Sequence, residues 1–157
     1  MDADTIIAGL LHDVVEDCEI SLKTVKKEFG ANVANLVDGM TKLLQLDDKL
    51  KDQSQAEYFQ KMALATAEDV RVVIIKLADR LHNLQTIEHL PREKQIKKAK
   101  ETLELYAPLA HQIGMHKMAT DLEDHSFKTI HPFRHNLIEQ ALKKNELNRK
   151  TLISKVK

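Results

Sequence analysis

Val70-Arg71-Val72-Val73-Ile74-Ile75-Lys76-Leu77-Ala78-Asp79-Arg80-Leu81-His82-Asn83-Leu84 is the stretch whose reading decides the fold. Its first six residues are rich in β-branched side chains, which favour strands. Its continuation to Leu84 is long and helix-like, and length argues for a buried helix. Downstream, Pro91 suits the first turn of a helix from about Arg92 to Tyr106, and Pro108, Gly114 and Pro132 punctuate further helices. Upstream, Ala56 to Thr66 reads as a helix and the polar Asp47 to Ser54 as a loop. A helix from about Ala31 to Leu46 has Val33, Leu36, Val37 and Met40 as its apolar face. Ser21 can cap the helix before it, and Gly30 fits that helix's stop after Phe29. Ile6, Ile7, Leu10, Leu11, Val14 and Val15 recur at helical spacing and predict one stripe facing a core. That run starts essentially at the first residue without an evident cap, which points to a cut through a domain.

Composition agrees with an all-helical chain. Its 157 residues are 43% hydrophobic and 31% charged, enough for one domain with a sizeable core. Four Gly, three Pro and 4% aromatics are too few for a strand-rich sandwich or barrel. One Cys excludes an internal disulfide framework and suits a reducing cytosol, so a cytoplasmic location is expected. No apolar run is long enough to span a membrane, and the first twenty residues hold no Lys or Arg for a secretory leader.

The formal net charge is zero, but the charge is segregated. Residues 1–20 hold Asp2, Asp4, Asp13, Glu16, Asp17 and Glu19 with no basic residue. Residues 92–100 and 143–157 are strongly basic. The first basic stretch is expected to be a solvated face, or else to steer a polyanion at long range. The second, striped with Leu147, Leu152, Ile153 and Val156, is expected to be a linker or a docking surface. No recognition motif accompanies either, so nucleic acid is not expected as a partner.

Within the acidic start, Glu16 follows His12 by four residues and Asp17 follows Asp13 by four, so four ionisable groups share about one helical turn. Carboxylates so close repel unless protons or a cation compensate. Imidazole with carboxylate oxygens suits Mn²⁺, Fe²⁺ or Zn²⁺, and such an ion can lower the pKa of water and polarise a phosphoryl oxygen. The bland alternative is a solvated acidic helix face. Asp79, behind a buried-type run, fits a pocket position or else an ion pair with Lys76 or Arg80.

A His-Asp pair with a distant Asp resembles the metal-dependent HD phosphohydrolase superfamily. The wording is more specific still. Leu10-Leu11-His12-Asp13-Val14-Val15-Glu16-Asp17, Leu36-Val37-Asp38-Gly39-Met40-Thr41-Lys42-Leu43, Lys76 to Asn83 and Thr102 to His111 resemble, in order, the hydrolase domain of the RelA/SpoT family. The resemblance spans roughly residues 3–140. It implies an all-α HD-domain helical bundle holding Mn²⁺, with His12, Asp13 and Asp79 as metal ligands. It implies that Glu16 and Asp17 help activate water, and that Asn83 and Thr86 contact the nucleotide. The implied reaction removes the 3′-pyrophosphate of (p)ppGpp in the stringent response, leaving GDP or GTP. Residues 1–140 would be the hydrolase domain and 141–157 a basic helical linker toward a synthetase domain or partner chain.

The chain also departs from the pattern. The family's first histidine ligand and its basic guanine-binding residues lie on a helix before the His-Asp motif, and this chain starts too late to contain them. Gln85 stands where many relatives have Arg, and Cys18 where Thr is frequent. Cys18, without basic neighbours, reads as a small structural residue. Two other readings remain open: a non-catalytic HD interaction module, and an HD phosphohydrolase of another nucleotide. His82 is expected to be structural. His111, His116, His125, His131 and His135 lack a carboxylate at a metal-motif spacing and are expected to be surface or hydrogen-bonded groups. Met115 and Met118 read as core packing around Leu122.

Overall fold

The computed structural model describes residues 2–18, 20–49 and 68–156, and the helix expected over Ala56 to Thr66 lies outside them. Every regular element among the described residues is helical. In chain order these are α1 (Ala3–Leu10), α2 (Val14–Asp17), α3 (Leu22–Phe29), α4 (Ala31–Lys49) and α5 (Val70–Gln85). After a 3₁₀ turn (Ile87–His89) come α6 (Arg92–Glu101), a π turn (Thr102–Tyr106), α7 (Ala107–Gln112), α8 (His116–Ile130) and α9 (Pro132–Val156).

The stretch that decides the fold is a helix. Asp69 caps α5 by accepting from the Arg71 backbone N–H at 3.0 Å. Val73, Leu77, Arg80 and Leu84 then fall on one buried face, so burial at helical spacing outweighs the β-branched preference. α4 lies alongside, with Val33, Leu36, Val37 and Met40 buried as their spacing predicts. A Cβ on Gly39 would stand 2.8 Å from a Val72 methyl, so the bare glycine allows α4 and α5 to approach. α1 rests on both, α3 packs on α4, and α6, α7 and α8 complete the core through Ala99, Tyr106, Ala107, Ala110, Ala119 and Leu122. Met115 and Met118 pack against this core as expected.

Several expectations need correction. α1 does have a cap: Asp2 accepts from both the backbone N–H and the hydroxyl of Thr5. The apolar stripe that follows is not one helix. It breaks at residues 11–13, where the His12 Nδ1–H reaches back to the Gly9 carbonyl at 2.8 Å. A side chain taking a carbonyl near the helix end competes with the backbone ladder, and Gly9 is itself a poor helix former. Ile7, Leu11 and Val15 pack on the core, but Ile6 and Leu10 are 55% and 80% exposed. α4 extends through Lys49 rather than stopping at Leu46, since its polar end has no Gly or Pro to break it.

The helix expected from Arg92 to Tyr106 widens into a π turn after Glu101. Pro108 explains this, because its ring crowds the carbonyl four residues back, that of Glu104, and a wider turn relieves it. α9 runs without a break across residue 140. Cys18 is exposed rather than packed. The 92–100 stretch is largely exposed, as a solvated face should be.

Candidate metal centre

His12 reaches the site from the turn between α1 and α2, and Asp79 reaches it from the middle of α5. Their meeting is a tertiary fact that periodicity could not supply. His12 Nε2 stands 3.5 Å from Asp79 Oδ1 and 2.9 Å from Asp13 Oδ2. The imidazole and Asp79 are largely buried, while Asp13 is half exposed. Asp17 lies one turn beyond Asp13, its backbone N–H donating to the Asp13 carbonyl at 2.8 Å, so that part of the expected spacing is kept. Glu16 sits in α2, but its side chain lies outside the described residues.

The remaining groups hold these in place. Asn83 donates from Nδ2 to Asp79 Oδ1 at 2.8 Å, one helical turn along α5. Its amide therefore steadies the carboxylate. Thr86 is the C-cap residue of α5, and its hydroxyl donates to the His82 carbonyl at 3.0 Å. His82 itself is exposed. Lys76, 4% exposed, places Nζ 3.9 Å from Asp79 Oδ2. Arg80, the other basic neighbour, turns away to Glu101 and lies 4.0 Å over the Tyr106 ring. Lys76 was legible as an i,i+3 neighbour; the Arg80–Glu101–Tyr106 lock joins segments too distant in sequence to be seen there.

The charges of the three groups are coupled. Attraction to the Asp79 carboxylate, ahead of the Gly9 carbonyl and Asp13, pushes the His12 imidazole up to about 9 against burial. Burial, with Asp79 and Asp17 adding repulsion, raises the Asp13 carboxyl, although His12 and Lys76 oppose this. Burial would also raise Asp79, but His12, Lys76 and Arg80 leave it below the ordinary carboxylate value. The imidazolium thus offsets the charge of the two carboxylates beside it.

The donor set fits such an ion. The Nδ1–H bond to Gly9 is the outer-shell contact that fixes a ligating histidine with its Nε2 lone pair outward. Nε2 is buried without an aligned hydrogen-bond partner. Among the described residues, however, no three His, Cys, Asp or Glu side chains already surround one point as a closed ligand cage. The three groups are gathered at contact distances, with Asp13 half exposed.

The family model described as HD domain matches residues 1–116. The chain belongs to the HD domain family. Membership implies a divalent metal and an all-helical fold, the architecture described above. This HD domain is 43% identical over 156 residues to a guanosine-3′,5′-bis(diphosphate) 3′-pyrophosphohydrolase of Vibrio cholerae, covering 99% of the chain and 22% of the relative. It is equally similar, at 43% over 156 residues, to the bifunctional (p)ppGpp synthase/hydrolase SpoT of Escherichia coli K12, covering 99% of the chain and 22% of that relative. A GTP pyrophosphokinase of Streptomyces coelicolor is 50% identical over 153 residues, covering 93% of the chain and 18% of the relative. The HD domain thus spans about a fifth of the length of these curated relatives. Among the described residues, no helix is long and apolar enough to cross a membrane.

Proposed function

We propose that this HD domain hydrolyses the 3′-pyrophosphate of (p)ppGpp, releasing pyrophosphate and GDP or GTP, as the Mn²⁺-dependent hydrolase part of a cytoplasmic stringent-response enzyme. The observation that carries the reading is the buried His12 imidazole held between Asp13 and Asp79. The similarity to proteins named for this hydrolysis supports the choice of substrate. On this reading residues 1–140 form the hydrolase unit, and 141–157 lead toward a synthetase domain or partner chain.

His12, Asp13 and Asp79 would hold the ion. When bound, Mn²⁺ supplies polarisation of a phosphoryl oxygen and a lowered pKa for water. The chain's own groups do the rest. Gly9 keeps the His12 ring turned so that Nε2 faces the two carboxylates. Asn83 fixes the Asp79 oxygen it donates to, and Lys76 offsets charge beside the other oxygen. Asp17, exposed one turn beyond Asp13, would take the proton from the attacking water, with Glu16 as its companion. Thr86 and Asn83 lie at the end of α5 and would meet the nucleotide from that side.

The assay is pyrophosphate release from ppGpp by the natural chain that carries this domain, with Mn²⁺ and after chelation. Mn²⁺-dependent turnover that falls on Asp79→Asn and on Glu16→Ala is expected. No turnover, or turnover indifferent to both substitutions, sinks the reading. The open cage favours one competing reading, an HD module that binds partners without catalysis. Metal analysis separates the two, since a stoichiometric ion lost on Asp79→Asn belongs to a working centre.

A further inference from the structure

A second group of imidazole and carboxylate side chains stands where α7 gives way to α8. Gly114 adopts φ +78, a left-handed conformation that costs glycine little. The Met115 N–H donates to the Ala110 carbonyl at 2.9 Å and the Gly114 N–H to the His111 carbonyl at 3.0 Å, closing a tight turn. The reversal brings together two histidines five residues apart. His111 Nδ1 and His116 Nδ1 lie 3.5 Å apart, with ring centroids 5.8 Å apart and planes tilted by 46°. On the far side of the first ring, His111 Nε2 lies 3.1 Å from Glu123 Oε1.

We propose that His111 and His116 form a surface site for Zn²⁺, bound through both Nδ1 atoms, with Glu123 as the outer carboxylate and water completing the shell. Two nitrogens each about 2.0–2.1 Å from a tetrahedral ion stand roughly 3.4 Å apart, close to the separation the turn imposes. When Nε2–H donates to Glu123, the neutral His111 ring presents Nδ1 as a lone pair, the arrangement that orients zinc-ligating histidines. Imidazole nitrogens as the direct protein donors favour Zn²⁺ over the harder Mn²⁺, which prefers oxygen. The start of α8 and nearby Lys117 oppose a cation here. The Glu123 carboxylate and the C-terminal carbonyls of α7 offset them. The rings are exposed, so an ion can enter without opening the fold.

The test uses the natural protein stripped of metal, titrated with Zn²⁺ and separately with Mn²⁺ at neutral pH while imidazole nitrogen resonances are followed by NMR. Within the first two equivalents of Zn²⁺, the Nδ1 resonances of both His111 and His116 should move together, whether or not the HD centre fills first. His116→Gln should remove one equivalent of bound Zn²⁺ and leave any held by His12 and Asp79. Glu123→Gln should weaken the His111 site about 10- to 100-fold. Nδ1 resonances in the wild-type protein that do not respond to Zn²⁺ overturn the proposal, as does unchanged Zn²⁺ stoichiometry in a folded His116→Gln protein.

Discussion

Asp79 is carried by a sixteen-residue helix whose inward face is sealed by Val73, Leu77 and Leu84, whereas His12 sits in a short turn between an eight-residue and a four-residue helix. Apolar packing places the first. The second is placed by packing of Ala8, Leu11 and Val15 together with polar contacts: the Asp2 cap on α1, the Gly9 carbonyl on the His12 ring, and the carboxylates themselves. A site assembled this way has one stiff wall and one whose geometry depends on charge. Substitutions behind Asp79 should therefore damage the fold, while substitutions around His12 should alter ion binding with less effect on stability.

Leu77→Ala tests the stiff wall most severely. Leu77 is fully buried, and the cavity should cost about 2–5 kcal/mol of unfolding free energy, read by denaturant titration. A loss well below this range would mean that α5 relaxes and is no stiffer than the turn. Gly39→Ala comes next. The added methyl meets Val72 at 2.8 Å, and overpacking should cost roughly 1–3 kcal/mol in the same experiment. An unchanged midpoint would show that α4 and α5 can separate freely.

Asn83→Ala shifts attention from the fold to the ion. It removes the donor that steadies Asp79, so affinity for a divalent ion, assayed with Mn²⁺, should fall about 10- to 100-fold in equilibrium dialysis. Equal affinity would place Asn83 outside the metal-holding network.

On the charge-dependent wall, pH has a defined sign. In the metal-free protein the His12 imidazole is raised to about 9 from its ordinary 6.5. Its contribution is therefore complete below about pH 6.5 and is lost as pH rises through about 9. The stability difference between the metal-free wild type and His12→Gln should shrink across that interval. A constant difference would show that the imidazolium is not held by Asp79 and Asp13.

The smallest effect belongs to Leu10→Ala. Leu10 is 80% exposed, and its truncation should change stability by no more than about 0.5 kcal/mol. A larger loss in the natural protein would reveal a neighbour covering that side of α1.

Much was legible because the chemistry is local. The buried period of α4, the Ser21 cap and the Gly30 stop follow from residues within a few positions of one another. The length of the Val70 stretch outweighs its β-branched start for the same reason. The His12–Asp13 pair and the Asp13–Asp17 spacing could likewise be read directly. What could not be read depends on residues far apart. Nothing near His111 in sequence supplies a carboxylate partner, yet the fold provides Glu123 twelve residues away. The kink after Leu10 is local, yet hydrophobic period misses it because it rests on a polar side chain, His12, taking the Gly9 carbonyl.

By itself, the sequence determined an all-helical chain, the identity of the acidic and imidazole groups, and which face of α4 must be hidden. Those follow from hydrophobic period, caps and breakers, which act over one or two turns. Only the tertiary structure decided that His12 meets Asp79 and that Arg80 turns to Glu101 instead of the Asp79 carboxylate. Such choices are settled when helices far apart in sequence pack, because burial makes each charge seek a partner within a few ångströms and packing decides which partners lie in reach.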